Sequence, residues 1–250
     1  MPLSTRNVLN AVESTENASA HTRTVSYTVG AGTELLVVCA RLSAGEIWST
    51  NINAVRWADS GGGGDEALTQ DGWQRSAGGA GALTTVWYLV NPTARSGRLE
   101  VDYTVTTSGI TATSWTILEV IGGVKTAAPI GASGGAVGNA LAAALNLTST
   151  VAGSLILSGL AHANNNVEPY TPAAGITSEL GDGQTGPASG SDHSYWAGEC
   201  LTTSVGTYAV GATGTGTANN YAISAIEVLP AAAGKAFPFR RNPFQHILVR

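Results

Sequence analysis

Phenylalanine is missing from the first 236 residues of this chain; its three copies stand together at Phe237, Phe239 and Phe244. A body that fills its core without Phe does not need three of them on a Pro-broken tail. Charge is scarce as well, at 12% of residues. Helical proteins draw heavily on Glu, Lys, Leu and Arg, so this shortage, set beside abundant Gly, Ala, Ser and Thr, argues against a helical architecture. Cysteine occurs only at Cys39 and Cys200, too few for a disulfide framework, and two buried free thiols are expected. No apolar run approaches the roughly 18 residues of a membrane-spanning helix. Met1–Arg6 lead into polar sequence without an apolar core, so no signal peptide is expected. None of His21, His162, His193 and His246 has a His or Cys at ligand spacing, and no metal or other cofactor is expected.

Such charge as exists is unevenly placed. Residues 235–250 carry Lys235, Arg240, Arg241 and Arg250 and no acid, within a chain of net charge −5. The body is therefore acidic, which argues against nucleic-acid binding, since phosphate contacts need clustered cations.

Period-2 alternation is clearest at 97–106, where Leu99, Val101, Tyr103 and Val105 face one way and Arg98, Glu100, Asp102 and Thr104 the other. Similar segments near 23–29, 33–42, 52–58, 84–91, 112–121, 144–150, 153–162, 194–203, 205–212 and 219–229 alternate with Gly, Asn and Pro turns. Segments 33–42 and 112–121 are apolar on both faces, as in a strand covered on both sides. The Gly-rich connections 59–66 and 74–82 read as surface loops. The expected fold is all-β: a single antiparallel, jelly-roll-like β-sandwich over residues 1–232, followed by an extended C-terminal arm, 233–250.

A weak echo runs inside the chain. Ala31-Gly32-Thr33 before Leu35–Val38 is matched by Ala152-Gly153-Ser154 before Leu155–Leu157, and Leu118–Ile121 by Ile226–Leu229. Two related halves of one sandwich would produce it; so would independent Ala-Gly turns feeding apolar strands.

Val29–Thr33 with Leu35–Val38, Ala67–Thr69, Val86-Trp87-Tyr88-Leu89-Val90-Asn91-Pro92, Ala128–Gly131, Ala152–Leu155 and Ala222 with Ile226–Pro230 occur in that order. Together, over roughly residues 8–232, they resemble a β-sandwich module of uncertain function found in tailed-phage structural proteins and bacterial surface proteins. The resemblance implies a jelly-roll-like sandwich with an exposed, structural or adhesive role, and it brings no catalytic residues. The Gly-rich stretch 60–64 and the tail 233–250 depart from the pattern.

Catalytic motifs are few. Asp192-His193 suggests a hydrolase, yet no Gly-x-Ser-x-Gly elbow accompanies it, and a solvated loop entering a strand is the better reading. Asp59, Asp65 and Glu66 flank four glycines at a spacing that fits no established calcium loop. No feature selects one carboxylate pair for glycoside hydrolysis. Trp57, Trp87 and Trp115 lie in apolar strands and are expected in the core. Trp48, Trp73 and Trp196 stand in loop-like or strand-start positions; they are the candidate glycan-binding residues, with Asn164–Asn166 and Asn219-Asn220 as hydrogen-bonding neighbours. The alternative for these three is burial under a loop.

The tail has a mechanism of its own. Pro238 and Pro243 hold it extended, Phe237, Phe239 and Phe244 offer anchors, and Arg240 and Arg241 offer bidentate partners for acids. Ile247 and Leu248 sit in a β-prone end suited to adding a strand to a partner's sheet. These features point to a non-enzymatic virion protein of a tailed phage, a capsid decoration or head/tail-surface component. It would be present in many copies or as a homo-oligomer and bound to other virion proteins through the arm. The alternative is a carbohydrate-binding or adhesive module of a phage or bacterial surface.

Overall fold

The computed structural model describes residues 2–16, 20–44, 51–61, 64–75, 81–104, 110–163, 169–184 and 193–232. The described chain is all β, with seventeen strands in four antiparallel sheets. Its first half contains β1 (Ser4–Glu16), β2 (Ala20–Thr28), β3 (Leu35–Ala44), β4 (Asn51–Asp59), β5 (Glu66–Ala67), β6 (Thr69–Arg75), β7 (Gly81–Val90), β8 (Ser96–Thr104) and β9 (Ile110–Ile121). Its second half contains β10 (Ile130–Ala140), β11 (Ala142–Thr148), β12 (Leu155–His162), β13 (Thr171–Pro172), β14 (Ser178–Gln184), β15 (Ser194–Leu201), β16 (Thr207–Thr213) and β17 (Asn219–Val228).

The expected single sandwich is corrected to two, stacked face to face. In the first half an inner sheet, β1-β9-β3-β7-β6, packs on an outer sheet, β2-β8-β4-β5. In the second half the inner sheet is β10-β17-β12-β15-β14 and the outer sheet β11-β16-β13. The reason lies in β3 and β9, which are apolar on both faces. Leu36, Val38, Leu42, Trp115 and Ile117 meet Trp57, Leu99 and Val101 of the outer sheet. On the opposite face Leu35, Val37, Leu118 and Val120 meet Leu155, Leu157, Ile226 and Val228 of the second half. A strand with two apolar faces needs a layer on each side, and the second sandwich is that layer.

The two halves repeat one another. Leu35 pairs with Val90 and Val120, as Leu155 pairs with Leu201 and Val228. Strand order is the same in both inner sheets, and β17 lies over β7, β12 over β3 and β10 over β6. An approximate twofold along β3 and β12 therefore relates them. The echoed motifs occupy equivalent sites: Gly32 (φ 79°) and Gly153 (φ 78°) make the same left-handed turn before β3 and β12. Each turn is held by a buried glutamate. Glu119 accepts from Thr33 Oγ1, Asn7 Nδ2 (2.8 Å), Gly30 N (3.0 Å) and Arg6 Nε (2.9 Å). Its counterpart Glu227 accepts from Ser154 Oγ (2.7 Å), Thr150 N (2.8 Å) and Ala132 N (2.9 Å). Burial pushes both carboxyls up, but the converging donors outweigh it and hold each below the usual range.

Strands β1, β6, β10 and β14 are sheet edges that alternation alone did not reveal. Their apolar residues are few and set among polar or small ones, so no apolar face repeats along them. Cys39 and Cys200 are free, buried thiols in different layers. The last described residues dock on the connection between the halves, where Pro230 bridges Val124 and Ala231 N donates to Gly123 O (2.6 Å). Among the described residues no helix is long and apolar enough to cross a membrane.

Candidate functional site

An open groove of about 600 Å³ runs between the start of β4 and the edge strand β6, lined by Asn51, Ile52, Asn53, Gln70, Asp71, Gly72 and Trp73. A β-bulge builds it. Gln70 pairs with Trp87 and Trp73 with Thr85, so Asp71 and Gly72 together oppose Val86 alone. In a regular strand residues three apart point to opposite faces; the extra residue brings Gln70 and Trp73 to the same face. Gly72 takes the left-handed φ of 84° that the bulge requires. Trp73 is left 45% exposed, the only tryptophan among the described residues with a large open surface. Arg75 braces it, with the guanidinium carbon 5.0 Å from the ring centre and Nη2 donating to Asn51 Oδ1.

Planar amides and a carboxylate beside a fixed indole match the two surfaces of a pyranose, vicinal hydroxyls around the rim and C–H groups on the face. A second groove of about 510 Å³, between β1 and β2, offers Val8 and Leu9 with several hydroxyls but no exposed ring.

The other candidates separate clearly. Trp196 is 0% exposed, packed among Leu160, Tyr170 and Ile223, with Nε1 donating to Glu179 Oε2 (3.1 Å). Its expected place at a sugar is corrected: strand pairing on both sides of β15 carries it into the second core. Trp57, Trp87 and Trp115 are buried in the first core. Asn219 and Asn220 sit at the start of β17, where Asn220 Oδ1 accepts from Asn139 Nδ2 (3.2 Å). Trp48, Asn164–Asn166 and the arm residues Phe237, Phe239, Arg240, Arg241, Phe244, Ile247 and Leu248 lie outside the described residues. The sequence reading missed Asn51, Asn53, Gln70 and Asp71, although the Asp71-Gly72 pair inside a strand was a usable bulge signal.

His193 is also corrected. It is not solvated but 0% exposed, with Nε2 2.8 Å from Ser114 Oγ. This has the outline of a nucleophile–base pair, yet it lacks the properties of one. Burial, then the neighbouring Arg41 charge, push the imidazole down to about 3, and no solvent reaches Ser114. His162 is likewise buried, against Tyr170 Oη (2.9 Å) and Ala140 O (3.0 Å), and burial pushes it down to about 4. Asp59 accepts from Gly61 N, and Glu66 pairs with Arg95. Among the described residues no group of three or more His, Cys, Asp or Glu is placed to hold a metal ion.

The two neutral histidines set an acid response. Each takes up a proton in the unfolded chain below its ordinary value near 6.5 but resists it in the fold. Stability is therefore expected to fall steadily as pH drops from about 6.5 toward 4 and 3. Urea midpoints across this window test it, and His162→Gln should flatten the upper part of the slope.

No family model matches the chain, and no curated protein is significantly similar to it.

Proposed function

We propose that this protein is a non-enzymatic surface module that binds saccharide in the Asn51–Trp73 groove. The observation that carries this reading is Trp73, held half-exposed by a glycine-dependent bulge beside Asn51, Asn53, Gln70 and Asp71. A core aromatic would gain by full burial; this one is braced by Arg75 with much of its surface open. The buried state of the Ser114–His193 pair supports a binding role over a catalytic one. A glycan array probed with the full chain is the direct test. Saturable binding to a subset of glycans supports the reading, and a blank array sinks it.

A second reading, compatible with the first, is favoured by the way the body closes. Its described cores are filled by Trp, Tyr, Leu, Val and Ile without any phenylalanine, and its last described strand ends at Val228. We propose that residues 233–250 tether the module to a virion capsid or tail, with Phe237, Phe239 and Phe244 as anchors and Arg240 and Arg241 against an acidic rim. Full-length protein is then expected to co-sediment with particles from a producing lysate, and a truncation ending at Gly234 to stay in the supernatant. Co-sedimentation of both forms would move attachment to the sandwich.

A further inference from the structure

The internal twofold shows where packing alone does not explain a side chain. Six residues into β3 and β12 stand Arg41 and Ala161, counted from the paired Leu35 and Leu155. Their neighbours correspond in the same way: Ser114 of β9 to Ala222 of β17, and His193, preceding β15, to Ala82 of β7. In one setting the interface between the inner sheets is closed by three alanines, Ala82, Ala161 and Ala222. In the other, Arg41, Ser114 and His193 occupy the equivalent places. Alanine satisfies the geometry, so the polar set answers some other requirement.

Arg41 is 0% exposed. Its Nη2 donates to Thr116 Oγ1, which itself donates to Asn10 Oδ1 (2.7 Å), and its guanidinium carbon lies 5.1 Å from the Tyr195 ring centre. Nε and Nη1 have no hydrogen-bond partner. Arg6, Arg56, Arg95 and Arg98 form ion pairs between described residues, and none of these pairs reaches Arg41. The groups around it, Ser114, Thr116, Tyr195 and a histidine held neutral, bring no negative charge. Among the described residues this buried guanidinium has no counter-charge, which hydroxyls alone do not supply.

We propose that Arg41, held by Thr116 and standing beside Ser114, forms an internal binding site for a small monovalent inorganic anion of the halide class. One positive charge calls for one negative charge, and full enclosure selects a small ion over an organic acid. The ion accepts from Nε or Nη1 and neutralises the interface between the two sandwiches. This site is independent of the saccharide groove and of the arm.

The test uses the full chain at constant ionic strength, with chloride or bromide replacing gluconate. Halide binding to the folded state raises the thermal midpoint, by about 3 °C or more for a site near saturation. In Arg41→Met, which keeps the side-chain bulk, that dependence disappears. Crystals grown in bromide provide a readout that needs no variant: an anomalous peak within hydrogen-bonding distance of Arg41 Nε or Nη1. A midpoint indifferent to halide with no peak at Arg41 overturns the proposal. So does a halide-independent midpoint that collapses in Asp192→Asn or Glu46→Gln, which would give Arg41 a carboxylate of the chain itself.

Discussion

Glu119→Ala is expected to destabilise the protein by about 3 kcal/mol or more, the range seen when one member of a buried, hydrogen-bonded charge cluster is deleted. In a chain of this size that is a drop of roughly 6–12 °C in thermal midpoint. Donors from Arg6, Asn7, Gly30 and Thr33 converge on this carboxylate, with a longer contact from the Tyr27 hydroxyl, and the alanine leaves them facing a void. Arg6 is a third exposed and rehydrates, so most of the loss comes from Gly30 N and the Thr33 hydroxyl. These fix the turn through Gly32 into β3, the strand at the centre of the first inner sheet. Glu119→Gln, which keeps one acceptor oxygen, should cost less than half as much.

The sign of the pH effect follows. The folded carboxyl sits below its ordinary value, so its contribution is complete above about 4.5 and fades as pH falls through the folded value. The wild-type protein should lose this part only below about pH 4.5, a window that starts lower than that of the histidines. Glu119→Ala should lack it. Glu227→Ala, in the equivalent turn of the second half, provides an internal repetition of the experiment. If either variant unfolds at the wild-type midpoint, the glutamate does not hold its turn.

Trp73→Ala is expected to weaken glycan binding roughly 30-fold or more, about 2 kcal/mol, as when an aromatic anchor is removed from an interface. The thermal midpoint should barely move, because the ring is 45% exposed and lies outside the buried cores. Asn51→Ala removes a rim amide and also the partner of Arg75, so it should weaken binding less directly, by releasing the brace on the indole. Trp196→Ala makes the opposite pattern. It opens a cavity in the second core and should cost about 3–5 kcal/mol of stability. Titration of an array-selected glycan by calorimetry, alongside thermal unfolding, separates the two. Unchanged affinity in Trp73→Ala would remove the groove from consideration.

How much was legible depends on whether a residue's surroundings are local. The alternation read from sequence over 97–106 matches β8 as far as it is described: Leu99, Val101 and Tyr103 point into the core, while Arg98, Glu100 and Asp102 form an outer ladder with Arg56, and Val105 lies outside the described residues. The placement of Trp57, Trp87 and Trp115 in the core followed from their apolar neighbours along the strand. Trp73 follows the same reasoning and Trp196 defeats it. Both sit beside polar residues, but β6 is an edge with a bulge and β15 is paired on both sides. Only the sheet order distinguishes them.

The all-β class, the acidic body, the two buried thiols and the two-faced apolarity of β3 and β9 were determined by the sequence, because composition and period-2 spacing act within a single strand. The doubling of the sandwich, the groove at Trp73, and the meeting of Arg41, Ser114 and His193 were decided by the tertiary structure. Those features join residues far apart in the chain, 152 positions in the case of Arg41 and His193, through strand pairing and sheet stacking. Pairing depends on which edges remain open once every apolar face has found cover, and no single segment carries that information.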